Sequence, residues 1–207
     1  LPEGFAPAEE LRAALLTADV QKVQFVGVAG TAGKTAAAGL LAAILREAAF
    51  HVGFYRAGCE PLSARIAIGG VSVDPMLLCQ AAEALSAAKP LPREAAELAA
   101  AARCFGAAGC KLAVVELPDA GLASALPNMP VCAVTAIGPD GVSRSVERLA
   151  ALAAGVMRKD AVCVTAPEQP KAVLSELVVA AAKAECELIV PDAEDITFLE
   201  AEKFTSK

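Results

Sequence analysis

Short apolar, β-branched runs alternate along the chain with longer segments whose apolar residues recur at helical spacing. The stretch "APAEELRAALLTA" reads as a helix, residues 22–29 ("KVQFVGVA") as a buried strand, residues 34–49 as a long helix and "HVGFYRA" as a second strand. Residues 64–73, "ARIAIGGVSV", show a period of two around Gly69 and Gly70, the pattern of a β-hairpin. Two helices follow over 75–87 and 93–108, separated by the proline-marked "KPLP". Four more apolar strands then end in polar or proline-containing loops: "KLAVVELPD", "VCAVTAIGPD", "DAVCVTAPE" and "CELIVPD". Helical stretches at 145–157 and 169–184 separate the last three.

Strands that alternate with helices predict an α/β fold, here a three-layer arrangement of the P-loop type with a mostly parallel sheet of about six strands. Residues 22–29 should be the central strand, and the Gly69-Gly70 hairpin should lie off the sheet. Residues 1–192 are expected to form one unit, followed by an acidic tail at 193–207. In such sheets ligands bind beyond the carboxyl ends of the strands. That edge collects the loops "GTAGKT", "ELPD", "IGPD" and "APEQ".

Composition narrows the function classes. Hydrophobic residues make up 56% of the chain, yet the excess is largely alanine and no uninterrupted apolar stretch reaches the roughly 18 to 20 residues that span a bilayer. No basic segment followed by an apolar run opens the chain, so neither a membrane anchor nor a secretion signal is expected. A net charge of −6 with no basic run and few aromatic residues argues against a nucleic-acid surface. The seven cysteines include no CxxC pair, which points to reduced thiols in a cytoplasmic setting. Their spacing places Cys132, Cys163 and Cys186 on strands and Cys79 and Cys104 on helices, as core residues. His51 is the only histidine, which excludes a polyhistidine metal site or a triad that needs a catalytic imidazole elsewhere.

The most informative chemistry lies between the first buried strand and its helix, in "VAGTAGKT" (residues 28–35). Backbone N–H groups at Gly30, Ala32 and Gly33, with Thr31 between them, can converge on a phosphate oxygen, aided by the positive end of the following helix. Lys34 is placed to neutralise β- and γ-phosphates, and the Thr35 hydroxyl to hold Mg²⁺. The general pattern G-x-x-x-x-G-K-[ST] requires glycine where this chain has Val28, so a tight turn that merely starts a helix remains open. A second metal ligand is expected at the tip of a neighbouring strand, where "LAVVELPD" offers Glu116, with Asp119 three positions on. A strand-end acid that is only solvated is the alternative.

These segments resemble the folylpolyglutamate and dihydrofolate synthases of the Mur ligase superfamily. "VAGTAGKTAAAGLLAAILREAAFHVGFYRAG" is similar to that family's loop, long helix and next strand, a pattern that also accommodates Val28. "LSARIAIGGVSVDPMLL", "AAARCFGAAGCKLAVVELPDAGLASALPN" and "VCAVTAIGPDGVSRSVERLAALAAGVMRKDAVCVTAPEQPKAV" continue the likeness over about residues 20–192. The resemblance implies ATP- and Mg²⁺-dependent amide formation, in which a carboxylate is activated as an acyl phosphate and an amine displaces the phosphate. It implies that Lys34 and Thr35 serve phosphate and Mg²⁺, that Glu116 is the metal glutamate, and that Asp140 matches the aspartate of a family Asp-His loop.

The chain departs from the pattern at Ala32 (family asparagine), Gly141 (family histidine) and Ala153 (the lysine that is often carbamylated). The family's smaller C-terminal domain has no counterpart in these residues, so a separate C-terminal domain or partner chain is implied for turnover with a folate-like or other carboxylate substrate. Three readings follow: the ATP-binding domain of such a ligase, catalytically impaired as this isolated chain; a non-catalytic paralogue that binds nucleotide or serves assembly; or an unrelated P-loop NTPase.

Overall fold

A strand buried on both faces has to be apolar, and β1 (Gln24–Ala29) is such a strand from Phe25 onward, Gln24 being exposed at its start. Val26 and Val28 face one way, where they pack with Ala38 and Leu41 of α2 (Lys34–Glu47). Phe25 and Ala29 face the other way, into the larger core. The computed structural model describes residues 7–86, 90–139 and 145–192. Asp140, Gly141 and the tail at 193–207 lie outside the described residues.

Seven further strands complete the sheet: β2 (Val52–Tyr55), β3 (Ile66–Ile68), β4 (Val71–Ser72), β5 (Leu112–Glu116), β6 (Val131–Val134), β7 (Val162–Thr165) and β8 (Glu187–Ile189). Their order is β4-β3-β2-β5-β1-β6-β7-β8, so β1 is central as expected. The run β2-β5-β1-β6-β7-β8 is parallel and supplies the six strands anticipated from the sequence. The hairpin is the correction. It does not lie off the sheet: β3 pairs antiparallel with β2, Gly53 opposite Ile68 and Tyr55 opposite Ile66, and β4 pairs with β3, so the described sheet has eight strands. Without it β2 would expose a row of unpaired N–H and C=O groups, and the two short strands cover that edge.

Helices α1 (Pro7–Leu15), α4 (Pro75–Ser86), α5 (Arg93–Ala107), α6 (Val146–Ala153) and α7 (Lys171–Ala184) all contribute to the core on the face opposite α2, which gives three layers. The alanine excess has its explanation in α5, where Ala95, Ala99, Ala100, Ala101 and Ala102 are all buried. Small side chains let this helix lie close to its neighbours. Phe105 sits against Gly53 of β2, and Gly106 abuts the backbone at Asp19 and Val20, so a Cβ at either glycine would clash. All seven cysteines are free, and five are buried. Cys79 departs from expectation, since it lies on the exposed side of α4.

One ion pair is enclosed between β2, α5 and α3 (Leu62–Arg65). Arg65, 1% exposed, grips Glu97 with both terminal nitrogens, at 2.8 Å and 2.9 Å, and its Nε donates to the Glu60 carbonyl at 2.9 Å. The hydrogen bonds from Arg65 hold the Glu97 carboxyl below its ordinary value. Burial, reinforced by the Glu97 charge, pushes the Tyr55 hydroxyl beside them up to about 12. The pair fastens the amino end of α5 to the start of the hairpin. Because the folded-state value of Glu97 is depressed, its stabilising contribution is present above the ordinary carboxylate value of 4.5 and is lost as pH falls through the lowered one. Arg65→Met should therefore cost about 2–3 kcal/mol at pH 7 in urea denaturation, and the gap to wild type should narrow as pH drops below that ordinary value. A gap independent of pH would contradict this assignment.

Candidate functional site

Alternation along β5 decides where Glu116 points. Ala113 and Val115 belong to the core of the many helices, whereas Val114 belongs to the cluster under α2. Glu116 falls in step with Val114 and faces α2. The β1–β5 register sets Val28 opposite Glu116, so the carboxylate emerges beside the strand that feeds the glycine loop. There the Thr35 hydroxyl donates to Glu116 Oε2 at 2.9 Å. The two side chains singled out as metal ligands, 81 residues apart, are thus in contact. Glu116 is only 5% exposed. Asp119 is not part of this pair; its carboxylate accepts from the N–H of Gly121 at 2.9 Å and caps the short 3-10 turn Ala120–Ala125.

The loop itself is shaped by two glycines with positive φ, Gly30 at 133° and Gly33 at 79°, the latter being the cap of α2. Lys34 Nζ reaches back to donate to the Gly30 carbonyl at 2.8 Å and so lies across the loop. The sequence reading assigned Ala32 N–H to a phosphate. Instead the N–H groups of Thr31 and Ala32 both donate to the Ala136 carbonyl, at 3.2 Å and 3.1 Å. Among the described residues, no backbone acceptor takes the N–H groups of Gly33, Lys34 or Thr35, the orphan donors of a helix start. The N–H groups left without a backbone acceptor are therefore those at the start of α2.

Gln169 was not singled out by the sequence, beyond its place in the "APEQ" loop at the correct edge. Its amide nitrogen donates to the Thr135 carbonyl at 2.9 Å and to Thr165 Oγ1 at 3.0 Å, while its Oε1 accepts from Ile137 N–H at 3.1 Å. It thereby fixes the segment after β6 whose Ala136 carbonyl braces the glycine loop. Thr31 closes the same contact, its Oγ1 accepting from Gly138 N–H at 2.8 Å.

Beside the loop opens a cleft of about 560 Å³, lined by Gly30, Thr31 and Lys34 of the loop and α2, by Leu117–Ala120 after β5, and by Arg148, Leu149, Leu152 and Ala153 of α6. Glu94 also borders it. Ala153, the position where the resemblance places a lysine, is a buried part of this lining. His51 is exposed and lies apart from the cleft. Among the described residues no group of three or more His, Cys, Asp or Glu side chains could hold a metal ion alone. Two oxygen donors suit Mg²⁺, which keeps waters and binds through one or two protein ligands together with substrate phosphates. No helix among the described residues is long and apolar enough to cross a membrane.

No protein-family model matches the sequence, and no curated protein does. Solved structures do match by shape. Mycobacterium tuberculosis folylpolyglutamate synthase complexed with ADP is 23% identical, with a TM-score of 0.76 over 89% of this chain and 46% of its own. The bifunctional folylpolyglutamate synthase/dihydrofolate synthase of Yersinia pestis is 22% identical, with a TM-score of 0.77 over 88% of this chain and 47% of its own. E. coli FolC in complex with DHPP and ADP is 20% identical, with a TM-score of 0.77 over 91% of this chain and 47% of its own. At these identities the likeness establishes the fold. The chain has the architecture of folylpolyglutamate synthases over about half of their length, in keeping with the resemblance to their N-terminal domain.

The two loop glycines differ in what surrounds them. Around Gly33 there is open space, so Gly33→Ala meets only the left-handed backbone penalty, about 1–2 kcal/mol. A Cβ on Gly30 would overlap Thr135 Oγ1 and sit 3.1 Å from the Thr135 backbone N and O. Gly30→Ala should thus lower the urea midpoint clearly more than Gly33→Ala, at unchanged m-value. Equal losses would show that the brace between the loop and β6 is not tight.

Proposed function

We propose that residues 7–192 form the nucleotide-binding unit of an ATP-dependent carboxylate–amine ligase of the folylpolyglutamate synthase type. The observation that carries this reading is the contact of Thr35 with Glu116 directly behind a glycine loop on a buried parallel strand. A tight turn that only starts a helix gives no reason for a nearly buried carboxylate, aimed at the first turn, on the adjacent strand.

In this reading the N–H groups of Gly33, Lys34 and Thr35 donate to phosphate oxygens, and Lys34 exchanges the Gly30 carbonyl for the phosphates. Gly30, Thr31 and Ala32 shape the loop and brace it on the segment after β6. Thr35 Oγ1 and the Glu116 carboxylate would hold Mg²⁺, which when bound neutralises phosphate charge and orients the terminal group. The reaction of the fold's relatives is then available in principle. A substrate carboxylate attacks the terminal phosphorus, ADP leaves with the electrons of the bridging P–O bond, and an amine displaces phosphate from the acyl phosphate. The matched structures are about twice the length of this chain, so the amine-binding part is assigned to a further domain or a partner chain. Asp140, placed by the resemblance in the loop before α6, is retained as an additional candidate.

A second reading, a nucleotide-binding paralogue without ligase activity, has one observation in its favour. Leu149, Leu152 and Ala153 make the α6 wall of the cleft apolar at the position where the resemblance calls for a lysine. Both readings require nucleotide binding. Ligation of glutamate to a folate-like acceptor once the remaining half is supplied would select the first.

Nucleotide at about 100 times its Kd should stabilise the fold by roughly 2.7 kcal/mol, readable as a rise in Tm that requires Mg²⁺ for its full size. Lys34→Ala should abolish the rise while leaving the unliganded Tm near that of wild type, since the bond lost among the described residues is to the loop carbonyl. No change in Tm with millimolar ATP and Mg²⁺ would reduce the loop to a structural turn.

A further inference from the structure

Arg148 occupies a position where the local electrostatics are against it. Ser145 caps α6, its Oγ accepting from the Arg148 N–H at 3.2 Å, so Arg148 is the third residue of the helix. In a capping box that position is acidic and reaches back to the cap N–H. A cation there meets the positive end of the helix dipole and is disfavoured. The Arg148 side chain is exposed and finds no carboxylate or carbonyl partner among the described residues. Glu94 and Asp119 border the same cleft, yet neither makes an ion pair with it, and Asp119 is engaged by Gly121 N–H.

Arg148 does share the 560 Å³ cleft with Lys34, both residues being part of its lining. The two cations sit on different elements and differ in what they can bind. The glycine loop, the first turn of α2 and Lys34 together offer enough donors for a diphosphate on their own. The Arg148 guanidinium comes from α6, outside the loop and α2, and is available to an oxygen that extends beyond such a diphosphate into the same cleft. Its planar fork suits phosphate oxygens, and charge-assisted bonds of this kind are short and strong.

We propose that Arg148 binds the third phosphate of a nucleoside triphosphate and so makes the cleft distinguish the triphosphate from the diphosphate. This rests on the nucleotide-binding reading above and deepens it. An acceptor carboxylate is the other anion that could meet the same guanidinium, and binding measured without any acceptor separates the two.

The test is calorimetric titration of ADP and of a non-hydrolysable ATP analogue, each with Mg²⁺, into wild type, Arg148→Ala and Arg148→Lys. Wild type should bind the analogue more tightly than ADP. Arg148→Ala should lose about tenfold in affinity for the analogue with ADP affinity unchanged, the size expected for one charge-assisted bond. Arg148→Lys should recover part of the loss. The unliganded Tm of Arg148→Ala should equal or exceed that of wild type, because a cation opposing the helix dipole has been removed. Equal losses for both nucleotides, or none for the analogue, would overturn the role of Arg148 while leaving nucleotide binding intact. Failure of wild type to bind either nucleotide would overturn both.

Discussion

The register between β1 and β5 is the constraint on which the site depends. With Val28 opposite Glu116, the carboxylate leaves the sheet on the α2 side and meets Thr35. A slip of one residue would turn Glu116 into the core on the other face and bring Val115 toward the loop. The register is held because both faces of both strands are buried. Val26 and Val114 pack under α2 while Phe25, Ala113 and Val115 pack under the remaining helices. The hydrophobic pattern that builds the sheet therefore also aligns a polar pair at its edge.

The loop is supported from a third strand. β6 ends in a segment whose Ala136 carbonyl accepts two loop N–H groups, and Gln169 beyond β7 holds that segment by two hydrogen bonds and ties to Thr165 of β7 by a third. Glycine at position 30 is required by this close approach, whereas glycine at 33 is required by backbone conformation alone. The glycine loop is thus braced across β1, β6 and β7 rather than free at the tip of one strand.

Much of this was legible in the sequence, because apolar runs at strand length and long alanine-rich segments report parallel strands and their helices directly. The six parallel strands, the central place of β1 and the convergence of Thr35 with Glu116 belong to that part. The docking of the Gly69-Gly70 hairpin on β2 was not legible, since a hairpin's own alternation says nothing about which edge it joins. Neither was the use of the Ala32 N–H by Ala136, 104 residues away along the chain, because backbone bonds between loops leave no side-chain signature. Cys79 was misplaced for a related reason: a small apolar residue on an alanine-rich helix gives little indication of which face is buried. Arg148 and Gln169 carry polar signals at the right edge, yet their roles depend on which loops the fold brings together.

The function of the cleft depends on whether Thr35 and Glu116 form a metal and nucleotide site. Crystals grown with ADP and Mn²⁺, with diffraction collected to detect manganese anomalous scattering, would test this directly. The expected result is an anomalous peak between Thr35 Oγ1 and the Glu116 carboxylate, with the diphosphate on the N–H groups of Gly33, Lys34 and Thr35 and the Thr35–Glu116 hydrogen bond opened. A peak at Asp119 or Glu94 instead, or bound ADP away from the loop with that hydrogen bond intact, would contradict it.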